Sequence, residues 1–517
     1  MAVLFFARGG LVRMTRPLSD FYTAGRLVPA FFNALAIAGS SVGAVVFAGA
    51  SGAVDFDWQG TLVLLAGAGL GLVLAGVLLA PYLRGYGGFT LPDFLAERFE
   101  AETMRPLGVF GVVLCSFPAL AAVMLAFGLL GQAVFAIPIW TGVAAGGVLI
   151  LVATLLGGMR SLSLSQLAYY AVMLLAGVVA VLAVLWQTGA PAAMDTLLVD
   201  EVVPSLPWKP FAQTSPVNSF ALLFCLAAGM ASFPYLLMRS FTAPDAVDAR
   251  AAFVGAPVFL VLLCLAGPAL AGLYEAASIA SGDPLSMIAE AVLVVGAVAV
   301  LLSTGAAVAL CMGNVLSYDL YFKSIRPAAP VSRQLFAARL AIVATLGLAG
   351  AMALKWPDET MAGTAAAFSL AASAFLPVLV LGVWWKRLGG EAAAAGMVAG
   401  LIVCLYYMIA PQTIPFLFYE SSSFLSDATQ AQTAAYEALR QNYYVAADAA
   451  AQGAVLTKWK ASVQPIANWF GVHGAGRCVR RARRLPRRRS GRTVHVRASA
   501  GIQRFVESLR AKPVWRS

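Results

Sequence analysis

The sequence predicts an all-α integral membrane protein, and three observations predict it. The chain is 61% hydrophobic and only 11% charged, whereas soluble domains carry about 25% charged residues. Apolar runs long enough to cross a ~30 Å hydrocarbon core recur between residues 28 and 410, and helices satisfy their own backbone there. Basic residues collect in every second loop between those runs.

Eleven spanning helices are expected, at 28–53, 60–81, 108–135, 138–159, 166–187, 218–240, 252–275, 287–317, 335–353, 363–385 and 393–410. Before them lies MAVLFFARGGLVR, whose charges follow its apolar stretch, the reverse of a cleavable signal peptide. Its apolar part is too short to span, so residues 1–27 read as a cytoplasmic stub of a truncated helix. The first span reads AFFNALAIAGSSVGAVVFAGASGAV, with Gly39, Ser40, Ser41 and Gly43 together at its middle. Such a cluster weakens a helix and leaves carbonyls unpaired, which secondary transporters use to coordinate a cation. It equally makes a small-xxx-small packing face, and the residues leave both readings open. Phe117 and Pro118 are expected to bend the 108–135 helix beside a pocket.

The 287–317 helix holds the most informative stretch. Residues 291–316 run without a charge, about 39 Å of helix, with the adjacent hydroxyls Ser303 and Thr304 near the middle. Val300, Ser303 and Thr304 stand at i, i+3 and i+4 and share one face. Oxygens at that depth suit a hard cation such as Na+. The competing reading is back-bonding of each hydroxyl to its own helix's i−4 carbonyl.

Loop charges set the orientation. One set of loops carries Arg13, Arg16, Arg26, Arg84, Arg98, Arg105, Arg160, Arg239, Arg250, Lys323, Arg326, Arg333, Lys386 and Arg387. The alternate short loops carry Lys209 and Lys355. That asymmetry makes the first set cytoplasmic, and it places the segments 188–217 and 411–465 outside. After Val472 the composition flips to GRCVRRARRLPRRRSGR, where a further helix should return the chain to the cytoplasm. A reading-frame shift across 466–517 accounts for the flip. The alternative is a basic tail on anionic lipid.

Several function classes are disfavoured. Ten arginines lie between Arg477 and Arg497, and without them the +11 net charge falls to +1, which argues against nucleic-acid binding by the body. The six cysteines are scattered with no CxxC, and both histidines, His473 and His495, lie near the C-terminus. A membrane enzyme is therefore not expected: HExxH and any metal constellation beyond Na+ are missing.

FYTAGR (Phe21 to Arg26), GASG (Gly49 to Gly52), FTLPDFLAERF (Phe89 to Phe99), GGMRSLSLSQ (Gly157 to Gln166), FPYLLMRSFTAPDAVDAR (Phe233 to Arg250) and STG…SYDLY (Ser303 to Tyr321) occur in collinear order. Together they resemble the sodium:solute symporter family, with LMRSFTAPDA and SYDLY closest to its cation/acetate branch. The resemblance implies a LeuT-type core of five plus five inverted-repeat helices. The repeats would be 28–187 and 218–385, with 393–410 as an additional span. It also implies thirteen helices, one more at each end than the spans found here. Na+ would be the coupling ion, with no organic cofactor, held by carbonyls of Gly39, Val42 and Val300 and the hydroxyls of Ser303 and Thr304. Many relatives carry an Asp in the first core helix where Ser40 and Ser41 stand, and the acetate branch typically has His at Tyr235.

Ser40, Ser41, Gln166 and Tyr235 are candidates for the solute, and the spans offer no buried Lys, Arg or His to pair with an anion. Asp319 is expected to pair with an Arg or cap the inner end of its helix, with Asp93, Glu97 and Arg98 in similar work. Arg239 and Asp245 are expected to join an inner gate network. The function implied is Na+-coupled symport of a short-chain monocarboxylate such as acetate, by a monomer in the bacterial inner membrane. An amino acid such as proline as solute, or a transporter-fold membrane sensor, stands as the alternative.

Overall fold

The computed structural model describes residues 18–48, 58–155, 157–188, 216–264, 284–355, 357–413, 430–445 and Val455. The first seventeen residues, GASG, the 189–215 loop, most of the 411–465 segment and the arginine-rich region lie outside the described residues. Helices account for the described secondary structure, and no strand occurs among these residues.

In chain order the helices are α1 (Leu18–Thr23), α2 (Ala30–Ala48), α3 (Trp58–Leu78), α4 (Ala80–Tyr86), α5 (Leu91–Phe99), α6 (Met104–Phe135), α7 (Ile139–Leu155) and α8 (Gly158–Thr188). They continue as α9 (Pro216–Ser232), α10 (Pro234–Leu237), α11 (Ala246–Cys264), α12 (Pro284–Asn314), α13 (Val331–Lys355), α14 (Pro357–Ala374), α15 (Leu376–Trp384), α16 (Gly390–Thr413) and α17 (Gln430–Val445). Among the described residues seven helices are long and apolar enough to cross a bilayer, three bent pairs are so when each is taken as one span, and the shorter Ile139–Leu155 is also apolar. Each matches one of the eleven expected spans.

Chain chemistry explains the bends. Between α1 and α2 the chain turns by 106°, through a left-handed run of Ala24, Gly25 and Arg26 with φ of 54°, 66° and 60°. Only Gly25 adopts that conformation without a steric cost. Arg26 is tied across to the Gly87 carbonyl. Between α3 and α4 the bend is 41°, at Leu79 with Pro81 just inside the next helix. Between α9 and α10 it is 45°, at Phe233, whose backbone is extended (φ −65°, ψ 123°) ahead of Pro234. Proline pushes its predecessor out of helical geometry and supplies no N–H, so the Met230 carbonyl has no i+4 donor.

Of the two readings open for the first span, a break or a packing face, the structure has the packing face. The α2 helix is continuous through Gly39, Ser40, Ser41 and Gly43, and the interruption falls instead in the sixth span, which the sequence reading treated as one helix. Glycine and serine weaken a helix by fractions of a kcal/mol, roughly 1 kcal/mol for glycine, and tertiary packing overrides that. Proline removes a donor outright. The loss of a donor does not by itself split a helix, since α6 runs unsplit through Pro118.

Helix packing shows a regular exchange. The pair α2 with α11 corresponds to α9 with α3, α6 with α14 to α12 with α8, α6 with α13 to α12 with α7, and α2 with α8 to α9 with α14. Each helix of the first five spans thus meets partners equivalent to those of the helix five spans later. Small residues allow the close approaches. A Cβ on Gly71 would lie 2.5 Å from the Ala227 carbonyl oxygen, so α3 and α9 touch backbone to backbone.

Candidate functional site

The face predicted on α12 points inward. Ser303 and Thr304 are buried and Val300 is partly buried. They lie against α2, where a Cβ on Gly39 would stand 3.5 Å from Ser303 Oγ. A Cβ on Gly43 would stand 2.1 Å from Thr304 Oγ1, a distance real atoms do not adopt. Glycine at 43 is therefore what lets the hydroxyl reach the α2 backbone.

The two hydroxyls behave differently from ordinary helix serines and threonines. Thr304 Oγ1 donates across to the Ser40 carbonyl at 3.0 Å rather than to its own helix. Ser303 Oγ is buried with no hydrogen-bond partner. An unpaired buried hydroxyl costs about 1–3 kcal/mol, so back-bonding does not account for this pair. Tyr235, just past the α9–α10 break, donates its phenol O–H to the same Ser40 carbonyl at 3.3 Å. Gln166 of α8 donates Nε2 to the Ser303 carbonyl at 3.1 Å.

Ser40 and Ser41 are placed otherwise than a solute site requires. Ser40 Oγ bonds to the Ala36 and Ile37 carbonyls at 2.9 and 3.1 Å, and Ser41 Oγ to the Ile37 carbonyl at 2.7 Å. Their hydrogens are spent inside α2, by the local back-bonding open to any serine in a helix. It is the backbone oxygen of Ser40 that faces the α12 hydroxyls. Gly39 and Val42, expected to offer carbonyls, lie within the continuous helix, where those oxygens belong to its hydrogen-bond ladder.

Arg239 overturns one expectation and modifies another. The sequence places it in a cytoplasmic loop and finds no buried cation near the site. In the structure it is 1% exposed, because the 3-10 turn Met238–Thr242 that follows α10 folds back into the protein. Its guanidinium donates to Ser163 Oγ at 2.8 Å and to Gln166 Oε1. Its carbonyl accepts from Asn33 Nδ2 at 3.0 Å and from Thr242 Oγ1 at 2.8 Å. Asp245 is exposed and does not join it; its carboxylate caps the start of α11 by accepting from the Asp248 amide at 2.8 Å. Ser163 and Asn33 were missed in the sequence. A polar Asn33 inside an apolar span was the available signal.

A second polar cluster occupies the expected cytoplasmic end. Asp319 lies in the π-helical segment Val315–Ile325 that continues α12, and its side chain is fully buried. Arg105 donates to it at 2.7 Å and to Asp93 at 3.0 Å. Thr90 caps α5 by accepting from the Asp93 amide. Tyr22 OH and Ser317 Oγ are 3.0 Å apart. Glu97 accepts from Tyr86 OH at 2.7 Å. Arg98, counted as a loop cation, is buried instead and donates to the Gly382 and Trp385 carbonyls at the negative end of α15.

Comparison with known proteins gives the family and the fold. The sequence profile described as "SSF: Sodium:solute symporter family" matches residues 21–294 and 283–400. An uncharacterized symporter of Cupriavidus necator is 26% identical over an alignment of 574 residues, which covers 79% of this chain and 84% of that protein. The solved structure of a Na+-coupled sialic acid symporter, substrate-bound and outward-open, superposes with a TM-score of 0.62 at 12% identity. It covers 80% of this chain and 91% of the other. That likeness gives the fold as LeuT-type, in keeping with the helix exchange described above. The chain is a multi-pass membrane protein and belongs to the sodium:solute symporter family.

Proposed function

We propose that the protein is a secondary active transporter that couples Na+ entry to uptake of a short-chain monocarboxylate such as acetate, by alternating access. The observation that carries the reading is the pair of α12 hydroxyls held against α2. One of them spans to the neighbouring helix and the other is buried without a partner. In this reading Na+ takes the Ser303 and Thr304 hydroxyls, the Val300 carbonyl, and the Gly39 and Val42 carbonyls as that turn of α2 opens. The Ser40 carbonyl already faces Thr304 and is a further oxygen within reach. Gln166 and Tyr235 stand beside this cluster and would contact the solute, with Ser40 and Ser41 as secondary candidates once their helix relaxes. The proposed repeats are 28–187 and 218–385, with 393–410 flanking them. Asp319 and Arg239 would hold the closed state, with Asp245 fixing the helix that follows Arg239.

Uptake into proteoliposomes tests it. Labelled acetate, pyruvate, propionate and proline are offered with a Na+ gradient, and separately with a pure proton gradient. Accumulation of a monocarboxylate only with Na+ is the expected result. Equal accumulation with protons alone rejects Na+ coupling, and preference for proline rejects the solute class.

A further inference from the structure

The Arg239 guanidinium is buried inside the protein and has only neutral side-chain partners. Among the described residues no acidic group bonds to it; its donors go to Ser163 and Gln166. Other buried charges here are answered. Asp319 and Asp93 share Arg105, and Arg98 lies on carbonyls at a helix C-terminus. A desolvated guanidinium without a counter-charge is costly, and its planar fork matches a carboxylate in two-point contact.

Its position adds a second argument. Gln166 accepts from Arg239 with its oxygen and donates to the Ser303 carbonyl with its nitrogen. One amide thus links the positive charge to the backbone of Ser303, the residue whose hydroxyl is unpartnered. No carboxylate hydrogen-bonds to Ser303, Thr304 or the α2 backbone facing them among the described residues. A Na+ arriving there is repelled by the Arg239 guanidinium, one amide away from Ser303, more strongly where water is excluded.

We propose that Arg239 is the anion anchor of the transport cycle: a carboxylate replaces Gln166 and Ser163 on its guanidinium, and the negative charge it brings is what makes Na+ binding at Ser303 and Thr304 favourable. The inference rests on the symport reading and deepens it. Linkage is then reciprocal, so that the anion tightens Na+ and Na+ tightens the anion. Because Arg239 sits on the turn after the α9–α10 break, while Gln166 and Ser163 belong to α8, the exchange of partners also changes what ties these two elements together.

The test is equilibrium binding to the full chain in nanodiscs, with choline salts as the sodium-free background. Acetate, pyruvate and chloride are the anion probes, and zwitterionic proline is the control. Wild type is expected to bind a carboxylate and to show a lower Na+ midpoint in its presence. In Arg239→Gln the carboxylate affinity falls about tenfold or more, and the Na+ midpoint no longer responds to the anion. Na+ alone binds this variant at least as tightly as wild type, which loss of a merely structural contact would not produce. Gln166→Glu supplies a carboxylate to the guanidinium from within, and is expected to weaken the anion and tighten Na+ without emptying the network. Tightening by chloride in place of a carboxylate supports the anchor and assigns it to an inorganic co-ion. Equal anion affinity in wild type and Arg239→Gln, for every probe, overturns the proposal, as does a parallel loss of Na+ and anion binding in both folded variants. Arg239-dependent anion binding without Na+-driven uptake would refute the symport reading alone, whereas Na+-driven uptake with unaltered coupling in Arg239→Gln would refute the anchor alone.

Discussion

Ser303 and Thr304 are neighbours in sequence but not in circumstance. Thr304 already has a partner on α2, so Thr304→Ala removes both an oxygen and an interhelical bond. Ser303→Ala removes an oxygen that bonds to nothing in this structure, so its cost should appear in Na+ affinity and not in folding. Both variants are expected to raise the Na+ concentration for half-maximal uptake by about tenfold. Only Thr304→Ala should also lower the thermal midpoint, by an amount matching about 1 kcal/mol. Unchanged Na+ dependence in both would remove these hydroxyls from the site. Gly43 makes a complementary case. Its Cβ would overlap Thr304 Oγ1, so Gly43→Ala must push α2 from α12 or rotate Thr304. A destabilisation of about 1–3 kcal/mol, with loss of Na+-dependent uptake, is the expected outcome. Wild-type stability in that variant would show that the two helices separate freely.

Two elements carry the shape of the site. The first is the interruption at Phe233–Pro234, which puts Tyr235 beside the Ser40 carbonyl and turns Arg239 inward. Pro234→Ala restores an N–H and relieves Phe233, so this stretch can approach a continuous helix. Uptake should fall while thermal stability stays near wild type, and full uptake would mean the break serves no function. The second is the π-helical end of α12. It carries Asp319 to Arg105, which also holds Asp93 of α5. Arg105→Ala leaves a carboxylate buried and alone, and is expected to cost about 3–5 kcal/mol. Asp319→Asn in the same background should recover a large part of that loss, because the stranded charge is gone. A chemical-denaturation or thermal-shift series on the two single variants and the double variant measures the coupling.

At the scale of the molecule, the exchange of helix partners between the first five spans and the next five describes the architecture better than any single contact. The polar site lies where α2 and α8 of one half meet α10 and α12 of the other, joined by Thr304 to Ser40, Gln166 to Ser303 and Arg239 to Gln166. A relative movement of the halves must therefore remake those bonds. Sidedness can be read directly. Lys323 and Lys355 are both exposed and stand at opposite ends of neighbouring spans. With a membrane-impermeant maleimide, Lys323→Cys should label only from the cytoplasmic side and Lys355→Cys only from the opposite side. Labelling of both from one side would break the predicted topology.

The amino-acid sequence by itself determined the membrane class, the eleven spans and the α12 face of Val300, Ser303 and Thr304. Hydropathy over twenty residues and a 3.6-residue period are local properties that the bilayer reads before any tertiary contact forms. Tertiary structure decided everything that depends on which helix a residue meets. Gly39 to Gly43 could by sequence be a break or a packing face and is a packing face, where α2 runs continuous against Ser303 and Thr304. Phe233–Pro234 looked like part of a span and is the break. Arg98 and Arg239 count as loop cations by position, yet both are buried. A charge in a sequence reports only its sign, whereas its solvation is set by the backbone turn that carries it and by partners more than seventy residues away, such as Gln166 for Arg239.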